Sequence, residues 1–219
     1  MDFPANLCIR PLTISDLIQV EELEAAVLPE DRCASKEILR YRLTVAPELC
    51  CGLFLREYIP EFNQVNLPEV AERINKEHHD HVHHAAIQPD EPGKSSVVRE
   101  TLVGHVLATK IRGSKIPADS TELLVEGKSQ AGHDERSRII GIHSVCVSSE
   151  WKRRNLGTLM LHDYIQKLSN QDLGDQIVLV CDLDMVNFYA KIGYVQLDES
   201  EQLEGGRVNM TIDLIPEEI

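Results

Sequence analysis

A strand, a basic turn and a helix, predicted in that order over residues 139–168, constrain the fold of this chain more than any other segment. Residues 139–147 read IIGIHSVCV, an apolar run rich in β-branched residues that is typical of a buried strand. After the turn, apolar residues recur at helical spacing: Leu156, Leu159, Met160, Ile165 and Leu168. The first N–H groups of a helix lack intrahelical partners and lie at the positive end of its dipole. The segment therefore predicts a strand that leads into a pyrophosphate-binding helix terminus.

The residue types in the turn fit that prediction. Lys152, Arg153 and Arg154 place positive charge around it. Asn155 is one of the few residues besides glycine that enters the left-handed backbone region at modest cost. Gly157 lets a phosphate approach the backbone closely. An ordinary strand-to-helix connection with a solvated basic surface is the alternative interpretation of the same residues.

A second apolar strand, residues 176–181, precedes a short predicted helix over residues 184–192 that contains Phe188 and Tyr189. The helix ends at a Gly-Tyr pair. This order of elements resembles the acyl-CoA-binding half of the Gcn5-related N-acetyltransferase (GNAT) superfamily. The resemblance implies an α/β (α+β) fold, a mixed and mostly antiparallel sheet of about seven strands flanked by about four helices. It also implies acetyl-CoA (coenzyme A) as the acyl donor.

Three stretches narrow the resemblance toward the arylalkylamine (serotonin-type) N-acetyltransferases and the similar fungal polyamine acetyltransferases. Residues 46–54, APELCCGLF, resemble the Cys-Pro-Glu-Leu segment of those enzymes. Residues 142–147 resemble their catalytic-histidine strand, and residues 181–189 resemble their Cys-Glu-Asp helix with its Phe-Tyr pair. The implied reaction is direct transfer of an acetyl group to a primary amine in a ternary complex.

The resemblance also implies roles for individual residues. His143 matches the general base, and Tyr189 matches the acid that protonates the coenzyme A thiolate. A backbone N–H of the strand that carries His143 is the expected donor to the oxyanion. The expected acetyl-CoA contacts are Val145, Cys146, Val147, Lys152, Arg153, Arg154, Asn155, Leu156, Gly157 and Thr158. The expected substrate-loop residues are Pro29, Glu30 and Asp31, with Pro47 and Glu48.

Two departures from the family pattern bear on the mechanism. Lys152 and Asn155 replace an Arg or Gln and a Gly of the phosphate turn, and both replacements are physically tolerable. Serotonin-type enzymes carry a second histidine two positions before the residue matched by His143, and here that position is Gly141. His143 is therefore expected to act alone, through water. The alternatives are a structural histidine within the sheet and, for Tyr189, an aromatic ring that only packs beside Phe188.

Net charge and targeting signals set the expected partners. The 219 residues carry a formal charge of −14, which argues against nucleic-acid binding and suits a cationic small-molecule substrate, although many acidic proteins are merely soluble. The chain has no run of about 20 apolar residues that would span a bilayer and no secretory signal, so a cytoplasmic location is expected. Its six cysteines form no C-x-x-C pair and are expected to be reduced.

We expect residues 1–219 to form a single domain with two surface insertions, about 58–97 and 113–138. A first strand is predicted at residues 7–11. Two helices are predicted to follow it, and Ser15 and Ser35 are their expected N-caps. The first helix is predicted to bury an apolar stripe of Leu17, Ile18, Leu23, Ala26 and Val27. Strands at 51–57, 100–112, 195–197 and 207–213 complete the predicted sheet.

A histidine cluster at residues 78–84 of the first insertion raises a metal hypothesis. No cysteine or second ligand pair completes a tetrahedral set, so a solvated loop without a functional metal is expected. Two rival functions also remain open. One is a protein or peptide acetyltransferase of the same fold, and the other is a non-catalytic acyl-CoA-binding protein, which the glycine at position 141 favours.

Overall fold

The computed structural model describes residues 4, 6–58, 97–116, 132–197, 203 and 206–214. They form one seven-stranded sheet in the order β1-β2-β3-β4-β5-β7-β6. The strands are β1 (Leu7–Pro11), β2 (Cys51–Tyr58), β3 (Val97–Ile111), β4 (Ile139–Val147), β5 (Gln176–Asp182), β6 (Val195–Gln196) and β7 (Arg207–Asp213). Neighbouring strands pair antiparallel except β4 and β5, which are parallel. The mixed, mostly antiparallel sheet expected from the resemblance is confirmed.

Helices cover the two faces of the sheet. α1 (Leu17–Val27) and α2 (Lys36–Val45) bury leucines in one apolar cluster together with Leu107 of β3 and Cys146 of β4. α3 (Leu156–Asn170) buries Met160, Tyr164 and Leu168 in a second cluster with Ile140 and Ile142. The short α4 (Val186–Ala190) follows β5. Because burial of apolar area drives folding, these two clusters fix the sheet between the helix layers.

The parallel strands β4 and β5 stay paired for only part of their length. Their register runs from Ile139 opposite Gln176 to Ile142 opposite Leu179. β4 continues to Val147 and β5 to Asp182 without further pairing between them. An opening therefore forms at the carboxyl ends of the two strands, which is where open α/β sheets bind ligands.

The start of α1 differs from the sequence prediction. Asp16, and not Ser15, occupies the cap position, and Thr13 and Asp16 form a capping box over the preceding 3₁₀ turn Ile14–Asp16. The predicted stripe is also wrong at Ile18, which is 60% exposed, and at Ala26, which is exposed as well, because Leu17, Val20 and Leu23 define the buried face. Ser35 caps α2 as predicted, since its side chain accepts a hydrogen bond from the Ile38 N–H.

The two predicted insertions lie mostly outside the described residues. β2 ends at Tyr58 and β3 begins at Val97, so residues 59–96 and their histidine cluster are among those not described. The described end of the second insertion is tied to the core: the N–H of His133 donates to the Tyr41 hydroxyl, and the N–H of Asp134 donates to the Lys110 carbonyl. Among the described residues, no helix has the length and apolarity that a bilayer-spanning segment needs.

Candidate active site

The turn between β4 and α3 has the backbone conformation expected of an anion-binding terminus. Asn155 is left-handed, with φ 59° and ψ 18°, as predicted, and Arg153 is left-handed as well, with φ 63°. Among the described residues, no side chain caps the N-terminus of α3, and no acidic residue lies in its first turn. The first-turn amides of Leu156, Gly157 and Thr158 are therefore available to phosphate oxygens.

The side chains of the turn add positive charge at its surface. Lys152, Arg153 and Arg154 are exposed, and the Arg154 guanidinium lies 4.7 Å from the centroid of the Trp151 ring. Leu156 is 1% exposed and belongs to the core, so only its backbone can reach a ligand. This arrangement fits the pyrophosphate of a coenzyme A molecule.

Gly157 lies where β4, α3 and α4 meet. A Cβ atom at this position would lie 3.4 Å from Phe188 Cζ and 3.6 Å from Val147 Cγ2, which are ordinary contacts. The fold therefore tolerates a larger residue here. The absence of a side chain leaves the amide surface of the helix terminus uncovered.

Among the described residues, the last residues of β4 have no partner strand on the β5 side. Val145 and Val147 are half-buried on the α3 side, while Cys146 is fully buried on the other face. Pairing with β5 has already ended at Ile142, so this edge of residues 143–147 faces the opening. An extended, amide-containing arm can pair with such an edge as an added strand does.

His143 is the extra residue of a β-bulge. In the register of β3 and β4, Leu107 lies opposite Ser144 and Ala108 opposite Ile142, so His143 has no opposite residue. Its Nε2 atom lies 2.7 Å from Thr109 Oγ1. Its Nδ1 atom is buried without a hydrogen-bond partner among the described residues. Burial, reinforced by the positive charge of Arg42, holds the pKa of His143 well below its ordinary value of 6.5.

Position 141 has no room for a second histidine. A Cβ atom added to Gly141 would lie 2.9 Å from Ile111 Cγ2 and 3.1 Å from Ile111 Cδ1. Ile111 is 2% exposed and belongs to the close-packed core. The branched side chain of Ile111 therefore occupies the volume that a partner of His143 would need.

Tyr189 lies on α4, the short helix that follows β5. It is 7% exposed on α4, and its ring makes edge-to-face contacts with Phe188 and Tyr194 at centroid distances of 5.0 and 5.7 Å. Burial raises the pKa of the phenol above its ordinary value, and the nearby Cys181 and Cys146 raise it further. These two cysteines lie near the ends of β5 and β4, so the phenol lies at the point where the strands separate.

The α1–α2 loop, residues 28–35, reaches the same opening. It contains the 3₁₀ turn Glu30–Arg32, and Arg32 Nη1 lies 2.6 Å from Asp182 Oδ2 at the end of β5. Pro29, Glu30 and Asp31 are exposed beside this ion pair. The structure therefore places the first three residues of the expected substrate loop next to the opening.

Pro47 and Glu48 lie elsewhere. They belong to the 3₁₀ turn Pro47–Leu49, where the Glu48 carbonyl accepts a hydrogen bond from Lys167 Nζ. Lys167 lies in the last turn of α3, about 16 Å along the helix from Leu156 at 1.5 Å per residue. The structure does not bring these two residues together with the rest of the site.

Several residues of the site were not predicted from the sequence. Thr109 contacts His143, Asp182 pairs with Arg32, and Glu24, His105 and Ser144 form a buried polar group beneath the bulge. Glu24 is separated from His105 in the chain by α2, β2 and the first part of β3, and only the tertiary fold brings them together. The described residues contain no group of three or more potential metal ligands.

Comparisons with known proteins agree with this architecture. The family model "Acetyltransferase (GNAT) domain" matches residues 88–214. No curated protein sequence matches the chain. The loading GNATL domain of CurA from Lyngbya majuscula superposes with a TM-score of 0.60 at 13% identity, over 95% of this chain and 98% of that one. The GphF GNAT-like decarboxylase in complex with isobutyryl-CoA also superposes with a TM-score of 0.60, at 16% identity, over 94% of this chain and 99% of that one.

The NatC complex bound to Gag peptide and CoA superposes with a TM-score of 0.54 at 15% identity, over 95% of this chain and 99% of that one. At such identities the superpositions concern the fold alone. The family model covers more than half of the chain and includes β3, β4, the phosphate turn and α4. The chain therefore belongs to the GNAT acetyltransferase family and is an N-acetyltransferase that uses acetyl-CoA.

Proposed function

We propose that this protein transfers the acetyl group of acetyl-CoA directly to a small primary amine, an arylalkylamine or a polyamine. The observations that support the proposal most concern two residues near the carboxyl ends of β4 and β5. His143 is the bulged residue of β4 just after its pairing with β5 ends, and Tyr189 lies on α4, close to Cys146 of β4 and Cys181 of β5. In the proposal, the neutral imidazole is the base and the protonated phenol is the acid. This is the pair of groups that amine acetylation needs.

In this proposal, acetyl-CoA binds along β4 and the start of α3. The amides of residues 153–158 bind the pyrophosphate, with Lys152, Arg153 and Arg154 around them. The pantetheine arm pairs with the edge of Val145, Cys146 and Val147. The thioester then lies between the bulge of β4 and Tyr189, where a backbone N–H of β4 stabilises the oxyanion.

His143 is the proposed base. Primary amines have pKa values near about 10 and are protonated at neutral pH, so one proton must leave before the nitrogen attacks the thioester carbonyl. The lowered pKa of His143 keeps its imidazole neutral and able to accept a proton. In this step Nε2–H donates to Thr109 Oγ1, which fixes the ring, and the lone pair of Nδ1 accepts the proton of the amine through a water molecule. Position 141 is a glycine and supplies no second histidine for a relay.

Tyr189 is the proposed acid. When the tetrahedral intermediate collapses, the C–S bond breaks and the thiolate of coenzyme A takes a proton. The raised pKa of Tyr189 keeps its phenol protonated, so that it can donate a hydrogen bond to the sulfur as negative charge develops. The products are the acetamide and free coenzyme A. Proximity of the two bound substrates supplies much of the remaining acceleration.

The surroundings of the α1–α2 loop suit a cationic acceptor. The ion pair with Asp182 raises the pKa of the Arg32 guanidinium. Asp31 and Asp184 also lie close enough to Arg32 to raise this pKa. A further amine of a polyamine would meet negative charge here. The exposed side chains of Leu183 (49%) and Met185 (38%) adjoin the same strand end and offer an apolar surface to an aromatic amine. Both acceptor classes therefore stay in the proposal.

We also infer that residues 1–219 form one catalytic domain, because a single sheet extends from Leu7 to Asp213. Peptide acceptors form the competing possibility. The NatC complex bound to Gag peptide and the Arabidopsis thaliana NAA60 in complex with a bisubstrate analogue share the fold.

The test is a comparison of acceptors with the full chain. Coenzyme A release and acetylated product are measured with tryptamine, serotonin, spermine, spermidine and a panel of free-amino-terminal peptides. The proposal expects turnover of at least one small amine, with a kcat/KM about tenfold or more above any peptide. Turnover of peptides alone would replace the small-amine function with a peptide one. Tight binding of acetyl-CoA without any turnover would identify a non-catalytic acyl-CoA-binding protein.

A further inference from the structure

Glu24 of α1 is a carboxylate in the core. It is 1% exposed, and its neighbours on the buried face of α1 are Leu17, Val20 and Leu23. Glutamate is rarely buried to this extent unless it is paired, because removal of a charge from water is costly. The contacts of its two oxygens therefore indicate what it does.

One oxygen holds the α1–α2 loop. The backbone N–H of Ala34 donates to Glu24 Oε2 at 3.1 Å. The Leu28 N–H donates to the Glu24 carbonyl at 2.8 Å at the end of α1, and the Cys33 thiol lies 3.4 Å from the Pro29 carbonyl and 3.6 Å from the Glu24 carbonyl. The carboxylate of Glu24 therefore holds the end of the loop that precedes α2.

The other oxygen faces the sheet. Glu24 Oε1 lies 3.6 Å from Nε2 of His105 on β3, an electrostatic contact slightly too long for a hydrogen bond. The same Nε2 atom lies 3.0 Å from Ser144 Oγ on β4. His105 is fully buried and Ser144 is 7% exposed. Ser144 follows His143 directly, so the group ends at the bulge.

The carboxylate stays ionised in this environment. Burial alone would raise the pKa of Glu24, but the interactions with His105, Ser144 and the Ala34 N–H outweigh it and lower the pKa below its ordinary value. The positive charge of the buried Arg42 lies near as well, since Glu24 acts on the pKa of that guanidinium. An ionised acceptor binds N–H donors more strongly than a neutral one.

We propose that Glu24 is a positioning residue whose buried carboxylate fixes the α1–α2 loop, through Ala34, against the bulge of β4, through His105 and Ser144. The inference rests on the proposed function, because it assigns the loop to the amine and the bulge to the base. Glu24 touches neither substrate. It sets the distance between the element that binds the acceptor and the residue that deprotonates it.

The main test replaces the carboxylate by an amide of the same shape, Glu24→Gln, with Glu22→Gln as the control on an exposed position of the same helix. We expect the KM of the amine to rise and kcat to fall, together by about tenfold or more in kcat/KM, because one oxygen and its charge are lost. The KM of acetyl-CoA stays within about twofold, and Glu22→Gln changes neither constant. Equal losses for both substrates, or no loss for either, would overturn the proposal.

A second variant keeps the test valid should Glu24→Gln fold poorly. Ala34→Pro removes the N–H that Glu24 accepts, and the extended conformation of Cys33, with φ −70° and ψ 130°, is compatible with a following proline. It is expected to raise the amine KM in the same way while acetyl-CoA binding is retained. An unchanged amine KM in a folded Ala34→Pro protein would contradict the role of this contact.

Labelling of Cys33 by a maleimide tests the loop without any turnover. In a Cys8→Ala background, Cys33 is the one cysteine that is not buried. We expect Glu24→Gln to accelerate its labelling several-fold at a temperature well below unfolding, and Glu22→Gln to leave the rate unchanged. Labelling at the parental rate would refute the link between Glu24 and the loop. This result is independent of which amine is the substrate, so it separates failure of this inference from failure of the proposed function.

Discussion

His143 Nε2 lies 2.7 Å from Thr109 Oγ1, and this contact joins the bulged residue of β4 to the neighbouring strand β3. The bulge leaves His143 without an opposite residue, so the threonine hydroxyl is what orients its ring. An imidazole held in this way and kept neutral by burial is suited to accept a proton at neutral pH. Its other nitrogen is buried and has no partner among the described residues.

The pH dependence of the reaction follows from the pKa of His143. A base must be neutral to act, and a lowered pKa keeps it neutral to more acidic pH. In the wild type we therefore expect kcat to fall only at a pH below 6.5, the ordinary pKa of histidine. In His143→Ala this acid limb should disappear, and kcat should be lower by about tenfold or more. The profile is measured by coenzyme A release from pH 5 to about pH 9. Thr109→Val should lower kcat, whereas Thr109→Ser, which keeps the hydroxyl, should retain it. An acid limb that persists in His143→Ala would show that the titrating base is another group.

Any side chain at position 141 is expected to destabilise the fold. Gly141→Ala places a Cβ atom 2.9 Å from Ile111 Cγ2, closer than such atoms normally approach, so the buried Ile111 has to shift. We expect a loss of about 1–3 kcal/mol in the free energy of unfolding, measured by urea denaturation. The double variant Gly141→Ala with Ile111→Val should recover part of it. A Gly141→Ala protein as stable as the wild type would mean that the space at Ile111 is not as tight as described.

Gly157 offers a test of donor binding that does not disturb folding. The added methyl of Gly157→Ala makes only ordinary contacts at 3.4 and 3.6 Å, so the melting temperature should stay close to that of the wild type. The same methyl covers the amide surface that a phosphate approaches. We expect the Kd of acetyl-CoA, measured by calorimetry, to rise about fivefold or more. Unchanged binding would move the pyrophosphate away from this terminus.

The ion pair of Arg32 and Asp182 should influence the choice of acceptor more than stability. Both side chains are more than one-third exposed, at 39% and 38%, so the pair adds at most about 1 kcal/mol to stability. Arg32→Ala removes a positive charge from the cleft, and Asp182→Asn removes a negative one. We expect the KM of spermine to fall in the first variant and to rise in the second, with both changes reduced at high salt. Shifts in the same direction for both variants would contradict an electrostatic effect on the acceptor.

The sequence predicted the elements whose signals are local. The bounds of β1 and β4 agree with the structure, and the β-branched run of β4 is a clear local signal. The left-handed conformation of Asn155 followed from the preference of that residue type. Ser35 was recognised as a cap for the same reason, since an N-cap depends only on the residues of the next turn.

What the sequence did not predict depends on long-range register. The cap of α1 was misassigned to Ser15 because Asp16 is also held by Arg10, whose guanidinium lies 2.8 Å away and comes from β1. The contact of Thr109 with His143 requires the exact register of β3 against β4 and the position of the bulge. The burial of Glu24 was not predicted, because its partners His105 and Ser144 are distant in the chain.

The most direct test of the account is the rate of coenzyme A release by Tyr189→Phe. Tyr194→Phe is its matched control, because that hydroxyl is buried without a partner among the described residues and its ring packs beside Tyr189. We predict that Tyr189→Phe lowers kcat about tenfold or more, equivalent to about 1.4 kcal/mol of barrier, while the Kd of acetyl-CoA is retained. Tyr194→Phe should keep kcat within about twofold. A Tyr189→Phe enzyme that turns over its amine at the wild-type rate would contradict the assignment of the acid and the reaction geometry built on it.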